Sequence, residues 1–242
     1  MRTSRVYLDQ VLESGATCQL PEEAAHHVAT VLRMKTGEAL VLFNGNGGSY
    51  RAVISRMEKR NVEVTVGEYE PDDRESPLSI TLAQAVMRGQ HMDYALQKAV
   101  ELGVQHIVPL LCLHGNVKLD DEQKQHRHAH WQRIIISACE QCGRNRIPQL
   151  SAPLRFTDWV GTDPNELKLI LHPRDGVCLS SLQPACKTLT LLAGPEGGFS
   201  DDEIASAQRH GYKSITLGPR ILRAESAALV VISICQAQWG DI

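Results

Sequence analysis

Apolar and polar residues follow two different rhythms along the 242 residues of the chain. Up to about residue 70 the period is two. Residues 38–43 and 50–54 read as strands on either side of Asn44-Gly45-Asn46-Gly47-Gly48-Ser49, a turn-rich hairpin loop. Residues 61–69 alternate apolar and polar as a half-buried strand does. One helix precedes them over 22–34, with Pro21 at its start and Gly37 beyond its end. A small barrel with one helix fits this pattern. Residues 70–77 are polar and hold two prolines, which reads as a linker.

The rhythm then changes. Strands are expected over 78–85, 104–111, 167–171, 188–193 and 214–217. Helices are expected over 90–102, closed by Gly103, and 120–142, closed by Gly143. A third runs from the capping box Ser200-Asp201-Asp202-Glu203 to about His210, and a fourth over 226–239. Strands alternating with helices predict an α/β domain with a mostly parallel sheet covered on both faces.

Composition narrows the class. A hydrophobic fraction of 43% and a charged fraction of 22% are those of a globular protein, which excludes a disordered or collagen-like chain. No run of eighteen apolar residues offers a membrane span, and the first residues lack the apolar core of a secretory signal. A cytoplasmic location is the expectation. Seven scattered cysteines, an odd number, read as reduced thiols. The net charge of −3 gives no global attraction to nucleic acid. Residues 74–155 nevertheless hold ten Lys/Arg against seven acids, so a local basic surface is possible.

Several motifs carry less than they first offer. Cys139-Glu140-Gln141-Cys142 lies at the end of a long helix, where the dipole disfavours a thiolate, and no second such pair completes a zinc site. His126 and His130 share a helix face but have no evident third ligand, so no metal is expected. Arg144 and Arg146, just past the helix end, are better placed to meet a phosphate.

The strongest signal is Gly194-Pro195-Glu196-Gly197-Gly198-Phe199-Ser200, between an apolar strand and a capped helix. A loop at the carboxyl end of a parallel strand is where open α/β sheets bind ligands, and glycines let the backbone come close. A second loop, Leu217-Gly218-Pro219-Arg220-Ile221-Leu222-Arg223-Ala224-Glu225-Ser226, lies in the same position after the next strand. Capping accounts for Glu225 or Ser226, but Arg220 and Arg223 near a helix start oppose the dipole and point to an anionic partner. Leu171-His172-Pro173-Arg174 ends a third strand likewise, and the three loops are expected to share one pocket.

These two C-terminal stretches, with Glu140-Gln141-Cys142-Gly143-Arg144, residues 97–104 (QKAVELGV) and residues 27–33 (HVATVLR), form five ordered motifs. In them the chain resembles the bacterial 16S ribosomal RNA uridine-N3 methyltransferases, the RsmE family of the SPOUT superfamily. Ala224 stands where Thr is common in that family. The resemblance implies a PUA-like RNA-binding barrel over 1–71, a linker over 72–77, and a SPOUT methyltransferase domain over 78–242 with a C-terminal trefoil knot. It implies S-adenosyl-L-methionine as cofactor, a homodimer, and as partner the 16S rRNA of the 30S subunit, with one uridine methylated at N3. Carried over by position, the cofactor-binding residues are Leu171, His172, Gly194, Glu196, Gly197, Leu217, Gly218 and Leu222. Glu225 is the candidate base for the N3 proton and Arg223 the candidate stabiliser of the resulting anion, or Glu225 only orients Arg223. RNA contacts are expected from Arg2, Arg5, Arg33, Arg88, Arg144 and Arg146. A SPOUT enzyme acting on another RNA such as tRNA, and an RNA-binding module without catalysis, are the alternatives.

Overall fold

The computed structural model describes residues 3–58, 61–172, 175–182 and 187–242. Two compact units emerge, Met1–Glu75 with Cys139–Ile147, and Ser76–Ala138 with Pro148–Ile242.

The first unit holds strands β1 (Arg5–Tyr7) and β2 (Thr17–Gln19), the short helix α1 (Glu22–His26), and strands β3 (Ala39–Phe43), β4 (Ser49–Glu58) and β5 (Asn61–Glu70). They form one sheet in the order β1-β3-β4-β5-β2, parallel at β1/β3 and antiparallel elsewhere. The period of two works as expected. The register sets Ala52 opposite Val66 and Ile54 opposite Val64, and all four are buried with Val6, Leu40, Leu42 and Val62. The helix differs from the expectation. It is α-helical only to His26, then opens into a π turn over His27–Val31, and Arg33 takes φ 53°. Ala25 and Val28 stay buried through this widening.

Segment Cys139–Ile147 joins this unit rather than the sequence around it. Glu140 accepts a hydrogen bond from the backbone N–H of Tyr7 at 3.0 Å, and Arg144 forms a buried two-pronged ion pair with Glu75, Nε to Oε1 at 2.9 Å.

The second unit contains β6 (Ser79–Ala85), α2 (Gln90–Glu101), β7 (His106–Leu111), the long helix α3 (Asp121–Cys142) up to Ala138, β8 (Gln149–Leu150), β9 (Leu154–Arg155), α4 (Phe156–Trp159), β10 (Leu167–Leu171), β11 (Val177–Cys178), β12 (Thr188–Ala193), α5 (Asp201–Arg209), β13 (Lys213–Thr216) and α6 (Ala224–Trp239). Its sheet runs β11-β13-β10-β12-β6-β7-β8, with β9 also on β7, and every pairing is parallel. The central strands β6 and β12 are buried nearly end to end, as both faces being covered requires, even at the polar positions Thr81, Gln84 and Thr190. One part of the core gathers Ala83, Val108, Leu110, Phe156, Trp159, Ile170, Leu192 and Tyr212. Strands β8, β9 and β11 and helix α4 were not foreseen; two to four residues are too few to show a period.

A polar knot of contacts ties the amino ends of the strands. Asp163 is buried and accepts from Tyr212 Oη at 2.6 Å, Thr190 Oγ1 at 2.9 Å and the Asn165 N–H at 3.1 Å. Asn165 Nδ2 in turn donates to Thr81 and Thr190. With the amino ends fixed in this way, the loops at the carboxyl ends are held in place by the same strands.

Candidate active site

Strands β13, β10 and β12 are neighbours, so the loops that leave their carboxyl ends meet. After β12, the Gly198 N–H donates to the Pro195 carbonyl at 2.9 Å and Gly198 takes φ 71°, which turns the chain toward α5. A Cβ on Gly194 would stand 3.2 Å from the Phe199 ring, and one on Gly197 3.1 Å from His114 Cβ, so a side chain at either would press on its neighbour. The capping box forms as foreseen: Ser200 Oγ accepts from the Glu203 N–H, and Glu203 reaches back to the Ser200 N–H. Glu203 also accepts from the Leu113 N–H at 2.9 Å, which fastens the loop after β7 to the start of α5.

After β13 the chain passes Gly218 at φ 75°, a left-handed position, and enters α6. The helix starts at Ala224, with Arg223 as its N-cap and no side-chain cap. Glu225 therefore does not cap; it sits in the first turn, where the helix dipole favours a carboxylate. After β10, His172 donates its N–H to the Ile215 carbonyl at 3.0 Å, and its Nδ1 accepts from the Asp175 N–H at 2.7 Å. Pro173 and Arg174 of this loop lie outside the described residues.

One cavity of about 890 Å³ lies among these loops. Leu171, His172, Gly194, Glu196, Gly197, Leu217, Gly218 and Leu222 all line it, as do Arg223 and Glu225. The structure thus brings together every residue expected at the cofactor and at the reaction. It adds some that sequence reading missed, above all His91, whose Nδ1 lies 3.0 Å from Glu225 Oε1, and Phe199, Asp201 and Ile204. His91 carries no signal in the sequence, since 134 residues separate it from its partner.

The arginines expected on RNA are not gathered in the same way. Arg88 and Arg33 are exposed; Arg88 donates to the Asn116 carbonyl at 3.1 Å. Arg146 is half-exposed beside Asp73 at 3.2 Å. Arg144 is not a surface cation: it is 4% exposed and bound to Glu75. Arg5 hydrogen-bonds Asn145 and the Arg144 carbonyl and lies 4.9 Å over the Phe43 ring, and burial lowers its pKa. Arg2 lies outside the described residues.

The Cys139 thiol is pushed up to about 12 by burial, so it stays protonated at neutral pH. His130 faces Asp93 at 3.1 Å, and among the described residues no group of three or more side chains is arranged to hold a metal. Among them, too, no helix is long and apolar enough to cross a membrane.

A parallel α/β sheet with a glycine-walled cavity at its carboxyl ends defines a small-molecule-binding α/β domain. Residues 74–236 match the model of the RNA methyltransferase domain family, and residues 20–67 that of the RNA methyltransferase PUA domain. The chain is 34% identical to ribosomal RNA small subunit methyltransferase E of Buchnera aphidicola subsp. Schizaphis graminum, across 100% of this chain and 98% of that protein. It is 27% identical to the protein of that name from Bacillus subtilis, across 95% and 93%. Among solved structures, a methyltransferase of Legionella pneumophila in complex with the bound cofactor SAM superposes with a TM-score of 0.96 at 43% identity, both chains covered in full. Ribosomal RNA small subunit methyltransferase E from Neisseria gonorrhoeae, bound to S-adenosyl methionine, gives 0.95 at 38% identity with 99% of each covered. The chain belongs to the ribosomal RNA small subunit methyltransferase E family.

Proposed function

We propose that the chain transfers a methyl group from S-adenosyl-L-methionine to N3 of one uridine in 16S rRNA, on the small ribosomal subunit. The observation that carries this reading is the single cavity in which eight expected cofactor residues meet Arg223 and Glu225. The relatives' names and the bound cofactor of two solved neighbours support it. In this reading the second unit has the SPOUT arrangement with a C-terminal trefoil knot, in line with β10 lying between β13 and β12. Residues 1–71 form a PUA-like RNA-binding barrel, 72–77 a linker and 78–242 the methyltransferase domain. The enzyme works in the cytoplasm as a homodimer. Tyr94 on α2 and Val230 on α6, both exposed and apolar, offer a face for a second copy.

The cavity fits the cofactor. Its volume is in the range of small-molecule sites, about 300–1,000 Å³. Leu171, Leu217, Leu222 and Ile204 supply apolar walls, and Glu196, Asp201 and Glu225 supply carboxylates for a cationic ligand. A Cβ at Gly218 would meet no protein atom within 4 Å, so the chain leaves space open there. When bound, the cofactor supplies an electrophilic methyl group. The protein's task is then orientation and proton removal. Leu171, Leu217 and Leu222 exclude water. Glu225, 8% exposed, takes the N3 proton of the uridine. Arg223 stabilises the charge left on O2, N3 and O4, and it cannot act as base itself. The uridine leaves its stack to reach the cavity. Arg33, Arg88 and Arg146 meet phosphates; Arg5 and Arg144, engaged internally, hold the first unit together instead.

Methyl transfer to purified small subunits, compared with tRNA and followed by nucleoside analysis, tests the reading. N3-methyluridine in 16S rRNA alone is expected; product on tRNA alone, or cofactor binding by calorimetry without product, would favour the other two readings. Glu225→Gln should lower turnover about 10²-fold or more if Glu225 is the base. Near-normal turnover would remove it from that role.

A further inference from the structure

We propose that His91 is the positioning partner of Glu225 and fixes one oxygen of its carboxylate so that the other faces the substrate proton. This role rests on the reading of Glu225 as base. His91 stands in the first turn of α2 and Glu225 in the first turn of α6, and both line the cavity. The two helices are held against each other along their length. Met92, Ala95, Leu96 and Ala99 of α2 and Ala228, Val231, Ile232 and Cys235 of α6 are all buried. Toward their far ends Gln236 Nε2 donates to the Leu102 carbonyl at 2.8 Å, while Gln236 Oε1 accepts from Ser76 Oγ at 2.7 Å. The first turns are therefore not free to drift apart, and the 3.0 Å separation of His91 Nδ1 from Glu225 Oε1 is set by the fold.

The chemistry of the pair fixes its direction. An ionised carboxylate only accepts, so Nδ1 carries the proton and donates it to Oε1. Among the described residues no other side chain hydrogen-bonds this carboxylate. Oε1 is thus occupied and Oε2 is left to take a proton from the cavity. Without His91 the carboxylate turns about its last bond and loses that orientation, although it remains in place on α6. The side-chain exposures agree with these roles, 10% for Glu225 and 49% for His91. The other ionisable groups of the cavity are His172, Glu196, Arg220 and Arg223 of the three loops and Asp201 at the start of α5; Asp93, the acid next along α2, is engaged by His130.

Four variants test this: His91→Ala, His91→Asn, Glu225→Gln and the double variant His91→Ala with Glu225→Gln. Methyl transfer to small subunits is measured as kcat and KM, with cofactor affinity by calorimetry and thermal unfolding on the same samples. His91→Ala should lower kcat about 10- to 100-fold, the usual effect of losing a group that orients a reactive one, with KM and cofactor affinity within about twofold. Asn places an N–H donor near the position of Nδ1, so His91→Asn should recover most of kcat. In the Glu225→Gln background His91→Ala should have no further effect, because the partner acts only through the base. A His91→Ala enzyme with wild-type kcat would overturn the role, as would equal losses in Ala and Asn or a loss that persists in the Gln background. If the wild type itself forms no N3-methyluridine, the reading of the site falls and takes this role with it.

Discussion

The buried carboxylate of Asp163 makes a quantitative test of how the sheet is held. Asp163→Ala removes the acceptor of three hydrogen bonds, from Tyr212, Thr190 and Asn165, at 2.6, 2.9 and 3.1 Å. Hydrogen bonds to a charged group contribute about 1.5–3 kcal/mol each, a gross loss of roughly 5–9 kcal/mol. Relief of the carboxylate's own desolvation offsets part of this, and a net cost of about 3–5 kcal/mol remains, the order expected when buried neutral donors are left without their acceptor. In Asp163→Asn one oxygen can still accept, and the Tyr212 hydroxyl can turn to accept from the amide, so the cost drops to about 1–2 kcal/mol. Urea unfolding followed by circular dichroism measures both, as a fall in midpoint without change of slope. The network stands at the amino ends of the strands, away from the cavity, so kcat of the folded variants should stay near that of the wild type. An Asp163→Ala midpoint equivalent to less than about 1 kcal/mol, or an Asn variant weaker than the Ala variant, would refute the reasoning.

Three further outcomes follow, the first two in the first unit. The Cys139 thiol is raised to about 12 by burial, whereas an unfolded thiol titrates near 8.5. The fold keeps the proton, so this contribution is complete below about 8.5 and is lost as pH rises from there toward 12; Cys139→Ala should flatten the alkaline fall in stability seen in urea melts at pH 7 to 10.5. Arg144→Ala leaves Glu75 without its ion-pair partner in a site where the two side chains are 5% and 11% exposed, and should cost about 3–5 kcal/mol by the same melts. It should leave the salt dependence of RNA binding as it is, whereas Arg88→Ala should flatten that slope by about one unit, measured by filter binding across salt concentrations.

What the sequence determined by itself follows from short-range physics. Alternating polarity in the first part of the chain, and apolar runs bounded by glycines and a capping box in the second, set nearly all the longer elements to within a few residues. The Ser200–Glu203 box set the start of α5, because both of its partners lie within one turn. The three loop motifs were legible because glycine, proline and charge at a strand end have local causes. Tertiary structure decided the rest. The helix expected over 22–34 is α-helical only to His26 and then widens into a π turn, which no local pattern announces. Contacts with Glu75 and Tyr7 drew residues 139–147 into the first unit and buried an arginine that reads as a surface cation. The pairing of His91 with Glu225 exists only because α2 and α6 pack side by side, and no local pattern encodes a neighbour that folding alone supplies.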